Sequence, residues 1–130
     1  MKILYNNCYG PGFTLSDAFL EEYEKRTGKK LEPAKVLFHT GVGSIRCDSI
    51  AIALFEEKGS EWCSAPGSDI AIRDIPSVFD HYWEIEESDG DEYVRILVSE
   101  ALADILHTFM QTGDRATLDR QYAAIIAASA

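Results

Sequence analysis

Cys8 is the first residue whose type and position suggest chemistry. It lies in the stretch NNCYGPGF, just before a predicted helix. A thiol at such a place can have a lowered pKa and act as a nucleophile. A nucleophile needs a base, and only folding could bring His39 or His81 near it. Because no spacing links these residues, a buried structural cysteine is the better interpretation, and we predict no catalytic residues and favour a non-enzymatic protein.

Cysteine and histidine could also bind a metal ion, but their spacing does not support a site. The candidate ligands are Cys8, His39, Cys47, Cys63 and His81, and no two cysteines have C-x-x-C spacing. Three cysteines cannot all form disulfides with one another, which favours a reduced, cytosolic environment. We therefore predict neither a metal nor a cofactor.

The glycine-rich turn around Cys8 could instead bind a small molecule or nucleotide. A strand, a glycine turn and a helix follow one another here, in the order that can hold phosphate at a helix N-terminus. The turn lacks the G-x-G-x-x-G and P-loop signatures, and Asp17 would repel an anion. We therefore favour a conformational turn whose aromatic side chains pack into the core. The ligand-binding alternative, with aromatic rings stacked on a base, depends on Asn6, Asn7, Cys8, Tyr9, Gly10, Gly12 and Phe13.

Net charge is the strongest compositional signal. The 130 residues include 22 acidic and 12 basic side chains, for a net charge of −10. This charge argues against nucleic-acid binding, because a duplex backbone would be repelled. It would attract a basic protein surface instead, including a groove that normally holds nucleic acid.

The acidic residues are concentrated around Asp89-Gly90, the strongest hairpin signal in the chain. Those acidic residues that point outward could form a surface for a basic partner. Neighbouring aromatic rings, such as Tyr93, could anchor that partner. The alternative is a solvated loop that binds nothing. The predicted partner-binding residues are Tyr82, Trp83, Glu84, Glu86, Glu87, Asp89, Asp91 and Glu92.

The order of the predicted strands and helices, together with the chain length, predicts a single α+β domain over residues 1–130. We expect a small, mostly antiparallel sheet with helices on one face. Residues 1–98 form this α+β core, and residues 99–130 a C-terminal antiparallel helical hairpin. The hairpin's apolar stripes could also support a homodimer. No apolar run approaches the length of a membrane span, so we expect no membrane partner.

Within the core, apolar spacing and cap residues predict the individual elements. A strand is expected over Lys2–Tyr5, a helix after the N-cap Ser16, and a second helix over Asp48–Lys58. A further strand is expected over Ser68–Ile75, and a short one in the stretch AKVLFHTGVG. The stretch SEWCSAPGSD is predicted to be a loop in which Trp62 is exposed.

Several separated stretches resemble a family of small proteins from phages and large DNA viruses. The opening Tyr5-Asn6-Asn7-Cys8-Tyr9-Gly10, with Phe13, Leu15 and Ser16, resembles that family's Tyr-Asn-x-Cys-Tyr-Gly-Gly-Phe-x-Leu-Ser. Further pieces fit in order: Arg46-Cys47-Asp48, Ile70-Ala71-Ile72, Ile75-Pro76, Ile85, Asp89-Gly90 and Glu92. The likeness covers roughly the first 95 residues. Pro11 and Ser49 depart from the family pattern, and the helical hairpin is an extension to it.

This resemblance implies a viral source and assigns no activity. Small acidic viral proteins are often inhibitors of host defence, anti-CRISPR proteins among them. We therefore predict a non-enzymatic counter-defence protein that binds a basic surface of a host defence complex through its acidic face. Its expected location is the cytoplasm of the bacterial host.

Overall fold

The computed structural model of this chain describes residues 1–33, 36 and 41–129. Within those residues the fold is α+β, which confirms the predicted class. The short strand expected in AKVLFHTGVG falls largely on residues outside the described part of the chain, as does His39.

The described elements follow the predicted order closely. They are β1 (Lys2–Asn6), α1 (Asp17–Thr27), α2 (Ser49–Lys58), α3 (Ser60–Cys63), β2 (Ile70–Asp74), β3 (Trp83–Ser88), β4 (Asp91–Ile96), α4 (Val98–Thr112) and α5 (Arg115–Ser129). Short 3₁₀ turns cover Ile45–Cys47 and Ser77–Phe79.

The prediction of a loop over SEWCSAPGSD is wrong in its first half, because α3 forms there. Gly59 takes a positive φ of 84°, which ends α2 and redirects the chain into this short helix. Cys63 of α3 is fully buried, and Trp62 is partly buried with its ring tilted against Phe19. Trp62 is therefore part of the packing and not an exposed anchor.

The strands form two separate antiparallel pairs and not the single small sheet that the sequence predicts. In one pair Lys2 of β1 lies opposite Asp74 of β2. In the other, Trp83 of β3 lies opposite Ile96 of β4. The placement of all helices on one face of a sheet is not confirmed.

Side chains explain why the two pairs do not join, although β1 lies beside β4. The backbone N–H of Asn6 donates to the Glu92 carboxylate, 3.0 Å away. The Leu4 carbonyl accepts from Arg46 at 3.3 Å, and the Val94 carbonyl accepts from Arg73. Backbone groups that could have continued a sheet are thus used by side chains.

The core has two parts, separated by β1. Adjacent residues of a strand point to opposite faces, and Leu4 joins one apolar cluster while Ile3 joins the other. The first cluster packs α1 and α2 around residues such as Phe19 and Leu54. The second packs the β3–β4 hairpin and the terminal helices around residues such as Phe79.

The C-terminal helices α4 and α5 form the predicted helical hairpin. Gly113 takes the left-handed conformation that ends α4, and the Asp114 carboxylate accepts from the Thr117 N–H at 3.1 Å. Most of the pair is exposed, although Ala101 and Ile125 are buried. Across the described residues, no helix is both long and apolar enough to span a bilayer.

The cap of α1 gives a first test of the fold. The Ser16 hydroxyl accepts from the Phe19 N–H at 3.0 Å and donates to the Trp62 carbonyl at 2.7 Å. Ser16→Ala removes both hydrogen bonds, so we expect it to lower the free energy of unfolding by about 1–2 kcal/mol. Ser99→Ala is the control, since Ser99 is exposed on α4 and should change stability by less than about 0.5 kcal/mol. Urea denaturation measures both; equal losses would contradict the bridging role of Ser16.

Candidate functional site: the acidic hairpin and the turn that holds it

A buried ion pair lies at the centre of the molecule. The Arg46 guanidinium is bidentate to the Glu92 carboxylate, with Nη1–Oε1 at 2.7 Å and Nη2–Oε2 at 2.9 Å. The two side chains are 0% and 4% exposed. The guanidinium carbon also lies 4.0 Å from the centroid of the Phe13 ring, a cation–π contact. This pair joins the Ile45–Cys47 turn to β4 and β1.

Asn6 extends this centre into the turn that follows β1. It is fully buried, and its side-chain amide donates to the carbonyls of Gly90 at 2.8 Å and Cys8 at 3.0 Å. Its side-chain oxygen accepts from the Asp69 N–H at 2.8 Å. A single amide therefore holds the opening turn, the segment before β2 and the tip of the β3–β4 hairpin in one arrangement.

The opening turn and the hairpin tip are also in direct backbone contact. The Gly10 N–H donates to the Asp89 carbonyl at 2.9 Å. A Cβ added to Gly90, whose φ is 87°, would lie 2.1 Å from the Gly10 carbonyl oxygen, far inside van der Waals contact. Only glycine fits at this approach. The two candidate sites that the sequence analysis treated separately are thus parts of one surface.

This packing removes most of the groups that the ligand-binding alternative requires. Phe13 is 1% exposed beneath Arg46, as the favoured core-packed turn predicts, and its ring is not available to stack on a base. Asn6 is committed to its backbone partners. Tyr9 differs from the expected core-packed ring, since 71% of it is exposed. The opening turn therefore acts as a structural joint that displays one tyrosine.

The cysteines are placed as structural residues. The Cys8 thiol donates to the Gly67 carbonyl at 3.2 Å, and the residue is half-buried where the sequence predicts a buried cysteine. Burial raises the pKa of the Cys47 and Cys63 thiols to about 11 each. Among the described residues, no three His, Cys, Asp or Glu side chains are grouped so as to hold a metal ion.

The outward face of the hairpin carries acids with one basic residue among them. Strand register places Glu84 opposite Arg95, Glu86 opposite Tyr93, and Ser88 opposite Asp91. Arg95 Nη1 lies 2.9 Å from Glu86 Oε1 and 3.5 Å from Glu84 Oε1. The hydrogen bond to Glu86, together with the nearby Glu84 charge, raises the pKa of Arg95. Arg95 thus offsets part of the acidic charge on this face.

The tip adds two more exposed carboxylates. Glu87 accepts from the Gly90 N–H at 2.6 Å, which stabilises the turn while leaving the residue exposed. Asp89 takes a left-handed φ of 52°, a conformation that aspartate and asparagine tolerate better than most residues. The tip carbonyl of Asp89 is held by Gly10, so its side chain is presented on a fixed backbone.

The structure corrects two predicted partner-binding residues. Trp83 is 8% exposed and Glu92 is 5% exposed, so neither is available to a partner. Both follow strand alternation: they lie on the inward face of the hairpin, where Val94 is buried in the second apolar cluster. Tyr82 is half-buried, and its hydroxyl donates to the Asp104 carboxylate of α4 at 2.7 Å.

The sequence does not reveal the role of Arg46 or the position of Tyr9 beside the acids. The opposite charges of Arg46 and Asp48 on either side of Cys47 predict only a local ion pair or a helix cap. The cap is confirmed, because Asp48 accepts from the Ala51 N–H at 3.0 Å. The partner of Arg46, however, is 46 residues away in the sequence, and no local pattern indicates it. The one available signal was the co-occurrence of Arg46 and Glu92 among the stretches that carry the family resemblance.

Comparison of the chain with protein-family models, curated proteins and solved structures finds no match. The resemblance to small phage and viral proteins stays a prediction. Its separate stretches do meet in space, since Asn6, Arg46, Gly90 and Glu92 belong to the same buried centre.

Removing the buried charge of Glu92 tests the centre directly. Glu92→Gln leaves the Arg46 guanidinium buried without its carboxylate, and we expect a loss of about 3–5 kcal/mol in the free energy of unfolding. Glu84→Gln is the matched control on the same hairpin, at a side chain that is 47% exposed, and should cost less than about 0.5 kcal/mol. Chemical denaturation of the two variants checks this; comparable losses would show that the ion pair is not the main constraint.

The contact between the opening turn and the hairpin tip gives a second test. Gly113→Ala, at a φ of 67° with open space around it, should cost about 1–2 kcal/mol from backbone strain alone. Gly90→Ala adds a clash with the Gly10 backbone and should cost about 3 kcal/mol or more. Amide exchange at Gly10 should also accelerate only in the Gly90 variant. Equal stability losses, with Gly10 still protected, would contradict the docking.

Proposed function

We propose that this protein is a non-enzymatic viral counter-defence protein, of the anti-CRISPR kind, whose acidic hairpin binds a basic surface of a host defence complex. The observation that carries the proposal is the tip and outward face of β3–β4. Five carboxylates and one arginine are available there, for a local net charge of about −4. They are Glu84, Glu86, Glu87, Asp89 and Asp91, with Arg95.

Two exposed tyrosines support binding of a protein at this surface. Tyr93 is 55% exposed between the acids of the outward face, and Tyr9 is 71% exposed on the turn that contacts the tip. Tyrosine is enriched at binding hot spots, because its ring buries a large apolar area while its hydroxyl forms hydrogen bonds. An acidic surface with aromatic anchors suits a groove lined by lysine and arginine.

Preorganisation supports the same proposal. A loop of mutually repelling carboxylates would lose conformational entropy on binding, which weakens affinity. Here the tip is held by Asn6, by the Gly10–Asp89 hydrogen bond and by the buried ion pair. The backbone that carries the carboxylates is therefore held in one conformation, and a basic groove can bind the hairpin with little further ordering of the backbone.

The setting of the proposal comes from the resemblance to phage and viral proteins. We propose on this basis that the protein acts in the bacterial cytoplasm, where guide-RNA-binding nucleases offer basic grooves. The acidic hairpin would occupy such a groove before nucleic acid does, and binding would weaken as salt screens the charges.

The test uses amide replacements that keep side-chain shape. The variant Glu86→Gln, Asp89→Asn, Asp91→Asn removes three charges from the hairpin, and asparagine tolerates the left-handed φ at position 89. We expect its affinity for purified guide-free CRISPR nucleases, measured by biolayer interferometry, to fall by about 100-fold. The wild-type Kd should rise at least about tenfold between 50 and 200 mM NaCl.

The control removes three charges elsewhere, by Glu21→Gln, Glu24→Gln, Glu61→Gln on α1 and α3, all exposed. It has the same net charge, so it should bind within about threefold of wild type if the hairpin is the binding surface. An equal loss in both variants would mean that only overall charge matters. No binding by wild type to any nuclease in the panel, together with no protection of phage from these systems, would refute the proposed function.

A further inference from the structure

An exposed apolar groove runs between α4 and α5, the two helices that follow the acidic hairpin in the sequence. Leu102, Leu106 and Met110 recur at four-residue spacing along α4, and Leu118, Tyr122 and Ile126 do so along α5. The groove between them has a volume of about 410 Å³. Met110 is 76% exposed, Tyr122 53% and Leu106 52%, values unusual for large apolar side chains that form one stripe.

The charge around this groove favours a second copy of the chain as its occupant. The α4–α5 hairpin contains four acidic and two basic residues, so it carries only −2 of the net charge of −10. Arg115 and Asp119 lie on the groove and form an ion pair with Nε–Oδ1 at 3.0 Å. Because the charges of Arg115 and Asp119 cancel, the groove itself is locally neutral, and the −2 of each hairpin is a small part of the charge that opposes association of two copies.

The geometry also fits a second copy. Two antiparallel helices with aligned apolar stripes are half of a four-helix bundle, and an identical hairpin supplies the other half. Each 15-residue helix is about 22 Å long, and two side by side present a face of about 400 Å². Both copies together bury roughly 800 Å², which is below the usual size of stable specific interfaces and in the range of weak, transient ones. The dimer should therefore be reversible, with a Kd on the order of 10 µM.

We propose that two copies of this protein associate through the α4–α5 groove to form a four-helix bundle, which pairs two acidic hairpins in one particle. The surface is separate from the one assigned to partner binding. Dimerisation and partner binding should also respond oppositely to salt. Screening reduces the repulsion between two copies of charge −10, whereas it weakens the attraction to a basic partner.

Sedimentation equilibrium of the full chain from 2 to 200 µM tests this proposal. We expect a monomer–dimer equilibrium that shifts toward dimer between 50 and 500 mM NaCl. Tyr122→Glu and Leu106→Glu should each raise the dimer Kd by more than about 100-fold. Met110→Gln is a milder variant at the most exposed stripe position, and should raise it by about tenfold with the fold intact by circular dichroism.

Gln121→Glu is the matched control, since it adds the same charge to α5 next to Tyr122 and off the groove. It should leave the Kd within about threefold. A wild-type chain that stays monomeric at 200 µM would overturn the proposal. This holds even if the amides that line the groove are protected from hydrogen exchange within the monomer. A dimer weakened equally by Gln121→Glu would also overturn it. The hairpin variant Glu86→Gln, Asp89→Asn, Asp91→Asn should still dimerise, so this test and that of the proposed function can fail independently.

Discussion

The buried ion pair between Arg46 and Glu92 is the constraint on which the rest of the structure depends. Burying two charges costs several kcal/mol each, and their attraction repays this only if the remaining hydrogen-bonding groups are satisfied. Here the geometry is bidentate, Glu92 also accepts from the Asn6 N–H, and the Phe13 ring covers the guanidinium. A shifted hairpin would lose all of these contacts together, so the pair selects one register and one placement of the hairpin against β1.

That placement explains why the opening turn is built as it is. Asn6 must be buried to reach Gly90, and the chain must pass close enough for Gly10 to donate to Asp89. The approach leaves no space for a Cβ on Gly90, and Tyr9 turns outward beside the tip. The residues that resemble a ligand-binding turn are thus explained by packing, and the acidic surface is what the packing displays.

Local sequence signals predicted the elements well, because their causes are local. Ser16, Asp48 and Gly28 are caps whose hydrogen bonds or left-handed backbone involve residues within one turn, and the Asp89-Gly90 turn requires only its own φ angles. The division into two strand pairs could not be predicted, since it depends on Arg46 and Glu92 meeting across 46 residues. The interpretation of the acidic run as wholly outward has a different cause, because strand alternation from the buried Val94 already places Glu92 on the inward face.

The ion pair also determines the charge that the surface presents. The register pairs Glu92 with Glu87 on the inward face of the hairpin, and two carboxylates directly opposite each other destabilise a strand pair. The contact with Arg46 neutralises Glu92 and makes it an anchor, so Glu87 no longer faces an uncompensated carboxylate. The remaining carboxylates are solvated and screened, and Arg95 lies between Glu84 and Glu86 and offsets one of their two charges. The hairpin can therefore hold several like charges at short range because one acid of the same run stabilises the fold from within.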